Sequence, residues 1–142
     1  MKKMDTAEWK AFIQSGSRTG KVSTIRADGS PHCVPVWFIF RDEKITFMTW
    51  HNSYKAKHIA KDNRISIAVD SEIFPYHFVT IEGTAEIEEP SMEDLYNVSK
   101  QIAQRYVPED RVEEYAKRNA VQGEVLVHVI PTKVLSAKDV AS

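Results

Sequence analysis

Apolar and polar residues alternate along much of this chain, the signature of strands with one buried face. Arg64-Ile65-Ser66-Ile67-Ala68-Val69-Asp70 alternates without a break. Lys21 to Arg26 does so more loosely, around Val22 and Ile25. Ile45-Thr46-Phe47-Met48-Thr49, His77 to Ile87 and Glu124 to Ile130 predict further strands. Ala27-Asp28-Gly29-Ser30 reads as a hairpin turn through its Asp-Gly pair, and Arg41-Asp42-Glu43-Lys44 as a second tight turn. Between the two lies His32 to Phe40, a run with almost nothing polar, so the first half predicts a three-stranded antiparallel meander. Gly83 predicts a bulge or bend where a barrel closes. Pro131 predicts the end of the last full strand, with a short strand at Lys133 to Ser136 beyond it.

Helical spacing fills the gaps. Asp5-Thr6-Ala7-Glu8 has the form of a capping box, followed by Trp9, Phe12 and Ile13 on one face and Gly16 as a stop. This predicts a short amphipathic lid on a sheet. Ser53 caps a helix to about Asp62. Ser91 and Asp94 open another, to about Arg105, with Leu95, Val98 and Ile102 on one side. Pro108 starts a last one, with Val112, Tyr115 and Ala116 inward and Gly123 ending it. About six strands and four short helices, without βαβ alternation, predict a mostly β fold: a small antiparallel barrel with helices filling its ends.

Composition narrows the function. The chain has 142 residues, which predicts one domain over 1–142. A net charge of −1 argues against broad nucleic-acid binding. The one cysteine, Cys33, permits no intrachain disulfide, which fits a reducing cytoplasm; without an activating base in sequence it reads as a buried thiol. No stretch approaches a membrane span and no signal peptide is evident. His32, His51, His58, His77 and His128 lack metal-ligand spacing, so no metal is expected. No nucleophile elbow appears.

Two stretches carry the candidate chemistry. From Thr49 to Arg64 the cations are Lys55, Lys57, Lys61 and Arg64, and the only acid is Asp62. A helix start normally attracts acids, because its free N–H groups and dipole make that end positive. Strand, hydroxyl and lysines at a helix N-terminus can form a phosphate seat; read alone, the run is more commonly a solvated basic face. The second stretch is His32 to Phe40, apolar on both faces where an antiparallel strand usually keeps one wet. The core covers one face, and a partner subunit or a flat ligand must cover the other. Pro35 interrupts the ladder there. With no global basic excess, a small anionic ligand suits the local patch.

Three segments together carry a family resemblance. They are Thr24-Ile25-Arg26-Ala27-Asp28-Gly29-Ser30-Pro31-His32 with Pro35-Val36-Trp37-Phe38, Ser53-Tyr54-Lys55-Ala56-Lys57 with Asp62-Asn63-Arg64-Ile65-Ser66, and Phe78-Val79-Thr80-Ile81-Glu82-Gly83-Thr84-Ala85. In order and spacing they resemble the pyridoxamine 5′-phosphate oxidase-like, FMN-binding split-barrel superfamily, most of all the branch described as F420-dependent oxidoreductases. The resemblance implies a six-stranded antiparallel split β-barrel flanked by short helices, acting as a homodimer with its cofactor sites at the subunit interface. It implies FMN or coenzyme F420, a deazaflavin, as cofactor, with hydride transfer to or from a small organic substrate. By position, Ser53, Lys55 and Lys57 would hold phosphate. Phe47, Met48 and Thr49 would line the seat, Pro35, Val36 and Trp37 would face the ring, and Tyr76 of the other subunit would close the site. The glutamate tail of F420 would call on Lys61, Arg64 and Arg18. The chain ends without the family's basic, arginine-containing segment, which argues against vitamin B6 oxidation, and His58 stands at an asparagine-like position. No catalytic acid or base is singled out. The alternative is a binding protein without turnover, a carrier or stress-related sequestering dimer.

Overall fold

The computed structural model describes residues 2–142. Its centre is a curled antiparallel sheet built from β1 (Gly20–Ile25), β2 (Pro31–Val36), β3 (Ile39–Arg41), β4 (Lys44–Trp50), β5 (Arg64–Asp70), β6 (Phe78–Glu88) and β7 (Glu124–Ala137). The strand order is β2-β1-β5-β6-β7-β4-β3. This is a split barrel. Four helices flank it: α1 (Thr6–Gln14), α2 (Tyr54–Lys61), α3 (Met92–Tyr106) and α4 (Val112–Asn119), the last entered through a 3-10 turn at Glu109–Arg111. No described helix is long and apolar enough to cross a membrane.

The sheet has seven strands rather than the expected six. The apolar run His32 to Phe40 is not one strand. Its first part, β2, pairs with β1 at one edge of the sheet, and its second, β3, pairs with β4 at the other. The expected meander is therefore two hairpins at opposite edges, joined through Trp37 and Phe38. The cause lies far along the chain. The Phe38 N–H donates to the Tyr106 hydroxyl at 3.3 Å, and the Phe38 carbonyl accepts from Arg105 Nη1 at 2.9 Å. Side chains of α3 satisfy the backbone where a strand would otherwise continue. Phe38 itself is fully buried. Cys33 is exposed rather than buried, because β2 is an edge strand with an open face.

Pro131 does not end the last strand. β7 runs on past it to Ala137, because the strand bulges directly after the proline: Gly83 pairs with Pro131 and Glu82 with Lys133, leaving Thr132 as an extra residue on β7 whose Oγ1 donates to the Glu82 carbonyl at 3.1 Å. A Cβ at Gly83 would lie 2.0 Å from the Ile130 carbonyl oxygen, so only glycine fits on β6 opposite this bulge.

The helix caps follow the sequence closely. Asp5 accepts from the Glu8 N–H and Glu8 reaches back to the Asp5 N–H, completing the capping box. Ser53 and Ser91 cap α2 and α3 through the N–H groups of Ala56 and Asp94. α1 lowers Ile13 into the barrel core beside Val22, Phe38, Phe47 and Ile67, with Trp9 and Phe12 against it. A second cluster lies between α3 and the sheet, formed by Ile39, Leu95, Val98, Ile102 and Leu126, with Met48 and Tyr106 packed on it.

Candidate functional site

The site begins where β4 ends. The Ser53 N–H donates to the Trp50 carbonyl at 2.9 Å, closing a turn, and the His51 N–H donates to the Gly123 carbonyl at 2.9 Å, pinning that turn to the start of β7. Gly123 has φ +104°, and a Cβ there would lie 2.4 Å from the Trp50 ring. Thr49 Oγ1 donates to Ser53 Oγ at 2.8 Å, and the same oxygen accepts from the Ala56 N–H at 3.1 Å. The cap is thereby fixed to the strand that precedes it. The first turn of α2 contains no acid. Ala56 and Ile59 are buried and hold the helix down.

A cavity of about 270 Å³ opens beside this turn. β2 contributes Pro35 and Val36, with Trp37 following, β4 contributes Met48 and α2 contributes Lys55. The remaining wall comes from Ser99 and Ile102 of α3, Asn119 of α4 and Glu124 of β7. Trp37 stacks flat on Tyr106, with ring centroids 5.2 Å apart and planes within 3°. Ser99 Oγ donates to the Ala116 carbonyl at 2.8 Å and is committed to that bond.

The two charged residues of the cavity are underused. Lys55 is half-buried and makes no hydrogen bond or ion pair among the described residues. Burial pulls its ammonium below the usual lysine range, and the Glu124 carboxylate opposes that shift. Burial pushes the Glu124 carboxyl up, against the pull of Lys55. Glu124 Oε2 is buried without a hydrogen-bond partner.

Of the residues singled out by sequence, Pro35, Val36, Trp37, Met48 and Lys55 meet in this cavity. Thr49 and Ser53 lie immediately beside it, bonded to each other. The Phe47 side chain is fully buried in the barrel core, on the opposite face of β4 from Met48, and only its backbone is near the seat. Lys57 is exposed on α2 and does not line the cavity. Tyr76 is 44% exposed in the loop before β6, at the opposite end of that strand from the site. His58 Nδ1 lies 2.9 Å from Thr24 Oγ1, and burial, with help from His32 and Arg26, favours its neutral form. The sequence reading missed Ser99, Ile102, Asn119 and Glu124. For Glu124 a signal existed: an acid opening the otherwise apolar strand Val125-Leu126-Val127 directly after a glycine. The other three sit in helices with no local mark.

A family model described as pyridoxamine 5′-phosphate oxidase matches residues 5–137. No curated protein matches the chain. Among solved structures, the chain is similar to the conserved hypothetical protein Rv2991 from Mycobacterium tuberculosis, at 28% identity and a TM-score of 0.80, covering 96% of this chain and 86% of that one. It is similar in fold to an F420 reductase, at 20% identity and a TM-score of 0.67 over 88% of this chain and 94% of the other. It is similar in fold also to HutZ, the heme storage protein from Vibrio cholerae, at 20% identity and a TM-score of 0.72 over 92% of each chain.

Proposed function

The chain belongs to the pyridoxamine 5′-phosphate oxidase family, and on that premise we propose that it is a flavin- or deazaflavin-dependent oxidoreductase. Residues 1–142 act as one cytoplasmic binding domain. It holds FMN or coenzyme F420 where two copies of the chain meet, and a hydride passes to or from a small organic substrate. The observation that carries this reading is Lys55: a half-buried cation without a protein partner, on an acid-free first turn, facing a cavity walled by Trp37, Met48 and Ile102. A buried charge is stable only when something pairs with it, and a phosphate is the pairing group that the helix N-terminus also favours.

The cavity suits part of such a cofactor. At about 270 Å³ it falls below the range of about 300–1,000 Å³ usual for a pocket enclosing a whole drug-sized ligand. The phosphate-bearing end belongs beside Lys55, Ser53 and Thr49. The ring belongs toward Pro35 and Trp37, the latter 37% exposed. The cofactor, when bound, supplies the hydride chemistry. The protein binds, orients and excludes water. Lys55 neutralises the phosphate, with Lys57 adding charge from the exposed face of α2. The stacked Tyr106 holds Trp37 as a fixed wall, and Met48 and Ile102 keep that wall dry. The open face of β2, with Pro31, Cys33, Pro35 and Trp37 all exposed, supports a second copy lying against this edge. The exposed Tyr76 of that copy is the candidate to close the site.

The second reading is binding without turnover. It is favoured by the cavity's lining, in which Lys55 and Glu124 are the only titratable side chains and no histidine, tyrosine or cysteine stands ready for proton transfer. One experiment separates the two. FMN and oxidised and reduced F420 are titrated by fluorescence quenching, followed by turnover assays with quinones and nitro compounds. Lys55→Ala should weaken cofactor binding by about 1.5–3 kcal/mol, the range for a charge-assisted contact. Tight binding without turnover of any acceptor selects the second reading, and binding of neither cofactor overturns both.

A further inference from the structure

Glu124 is not among the residues that the family resemblance assigns to the site, yet it holds the cavity's one orphaned acceptor. It is the first residue of β7, paired across the sheet with Trp50. The backbone on either side is fixed, by Gly123 under the Trp50 ring and by the buried Val125. Its carboxylate lines the cavity, where Oε2 finds no donor. A buried acceptor without a donor is unfavourable, and native structures contain few of them.

The neighbours do not resolve this. Ser99 Oγ donates elsewhere. Lys55 is the cation facing Glu124, close enough for each to perturb the other's ionisation, yet the two form no ion pair. Asn119 adds only a neutral amide to the wall. A bare anion seated on Lys55 would meet a carboxylate in the same small space, and like charges at close range repel. A ligand carrying a hydroxyl beside its anionic group avoids that conflict, because the hydroxyl gives Oε2 the donor it lacks.

We propose that Glu124 is a ligand-binding residue that selects polyol phosphates: its Oε2 accepts a hydrogen bond from a ligand hydroxyl while the phosphate of the same ligand pairs with Lys55. The proposal rests on the reading of Lys55 as the phosphate seat. It goes further in assigning the selection between a bare anion and a hydroxylated one to a residue of β7. A carboxylate opposite the cation makes the site poor for free phosphate and good for the hydroxylated side chain of a flavin-type cofactor.

The test uses calorimetric titration of the full chain with inorganic phosphate and with ribitol 5-phosphate. The wild type should bind ribitol 5-phosphate about tenfold or more tightly than inorganic phosphate, the worth of a hydrogen bond to a charged group. In Glu124→Leu that advantage should collapse, while inorganic phosphate binds more tightly than in the wild type. Glu124→Gln keeps an acceptor without the charge; it should retain part of the advantage, and its conservative shape guards against loss of fold. An advantage equal to wild type in both variants, or no advantage in the wild type, overturns the proposal. Lys55→Met separates its failure from that of the underlying reading. If Lys55→Met abolishes binding of both probes and the Glu124 variants change nothing, Glu124 alone is wrongly assigned. If Lys55→Met binds both probes as the wild type does, the phosphate seat is wrong and the role of Glu124 falls with it.

Discussion

Arg105 and Lys55 are both half-buried cations, and burial lowers the pKa of each. Their surroundings differ completely. Arg105 gives Nε to the Gly16 carbonyl at 2.9 Å, Nη1 to the Phe38 carbonyl at 2.9 Å and Nη2 to the Ile13 carbonyl at 2.6 Å. It also lies over the Phe38 ring, with its guanidinium carbon 4.4 Å from the centroid. Each of its three nitrogens donates to a backbone carbonyl, and it binds the end of α1 and the β2–β3 crossing to α3. Lys55 is given nothing comparable. A cation that the fold has satisfied is part of the fold, and a cation left unsatisfied at a similar depth points to something outside it.

The contrast can be broken most forcefully at Arg105. Arg105→Met keeps much of the bulk and leaves three carbonyls without their donor. We expect a loss of about 2–4 kcal/mol in urea unfolding, in the range for breaking a buried polar network. A loss below about 0.5 kcal/mol, the scale of an ordinary surface change, would deny Arg105 its structural role. Next comes Lys55→Ala, in which cofactor affinity falls as stated above while unfolding stability changes by no more than about 0.5 kcal/mol. A large destabilisation would make Lys55 a second Arg105. Tyr106→Phe is smaller. It removes the hydrogen bond to the Arg18 carbonyl at 2.8 Å and the longer one from the Phe38 N–H at 3.3 Å but keeps the stack on Trp37. About 1 kcal/mol of stability should be lost, with tryptophan emission little changed.

The smallest expected effect is in pH dependence. The pKa of folded Lys55 lies below the ordinary 10.5. In the window just under that value the unfolded chain binds more protons than the folded one, so this residue makes stability rise with pH there. Denaturant midpoints of the wild type and Lys55→Ala, compared across that alkaline window, should show the rising contribution in the wild type only. Parallel curves would remove burial from the account of Lys55.

What was legible in the sequence was local. The capping box at Asp5, the caps at Ser53 and Ser91 and the Asp-Gly hairpin need only neighbouring residues, and all are present. Gly83 was legible because a glycine in a strand has few uses. The break at Trp37–Phe38 was not, because the groups that make it, Arg105 and Tyr106, lie 67 and 68 residues away. Pro131 misled because nothing local marks the extra residue, Thr132, that lets β7 bulge beside the proline and resume its pairing with β6. The candidate site divides in the same way. Thr49 to Lys55 is contiguous and carries its own signal. Glu124, Ser99 and Asn119 reach the cavity only through topology.

The position of β7 bears on when the protein can fold. It is the last strand in chain order, yet it lies between β6 and β4, which touch only through it. Before β7 is made, the β3–β4 hairpin has no second partner in the sheet and the barrel has no continuous wall. Such long-range pairing is slow, because loop-closure entropy must be overcome before the contacts that reward it can form. Glu124 begins this same strand, so the cavity gains its acidic wall only when the sheet is completed. A nascent or truncated chain ending before β7 would carry Lys55 but not its counterpart, and ligand capture is thereby tied to completion of the fold.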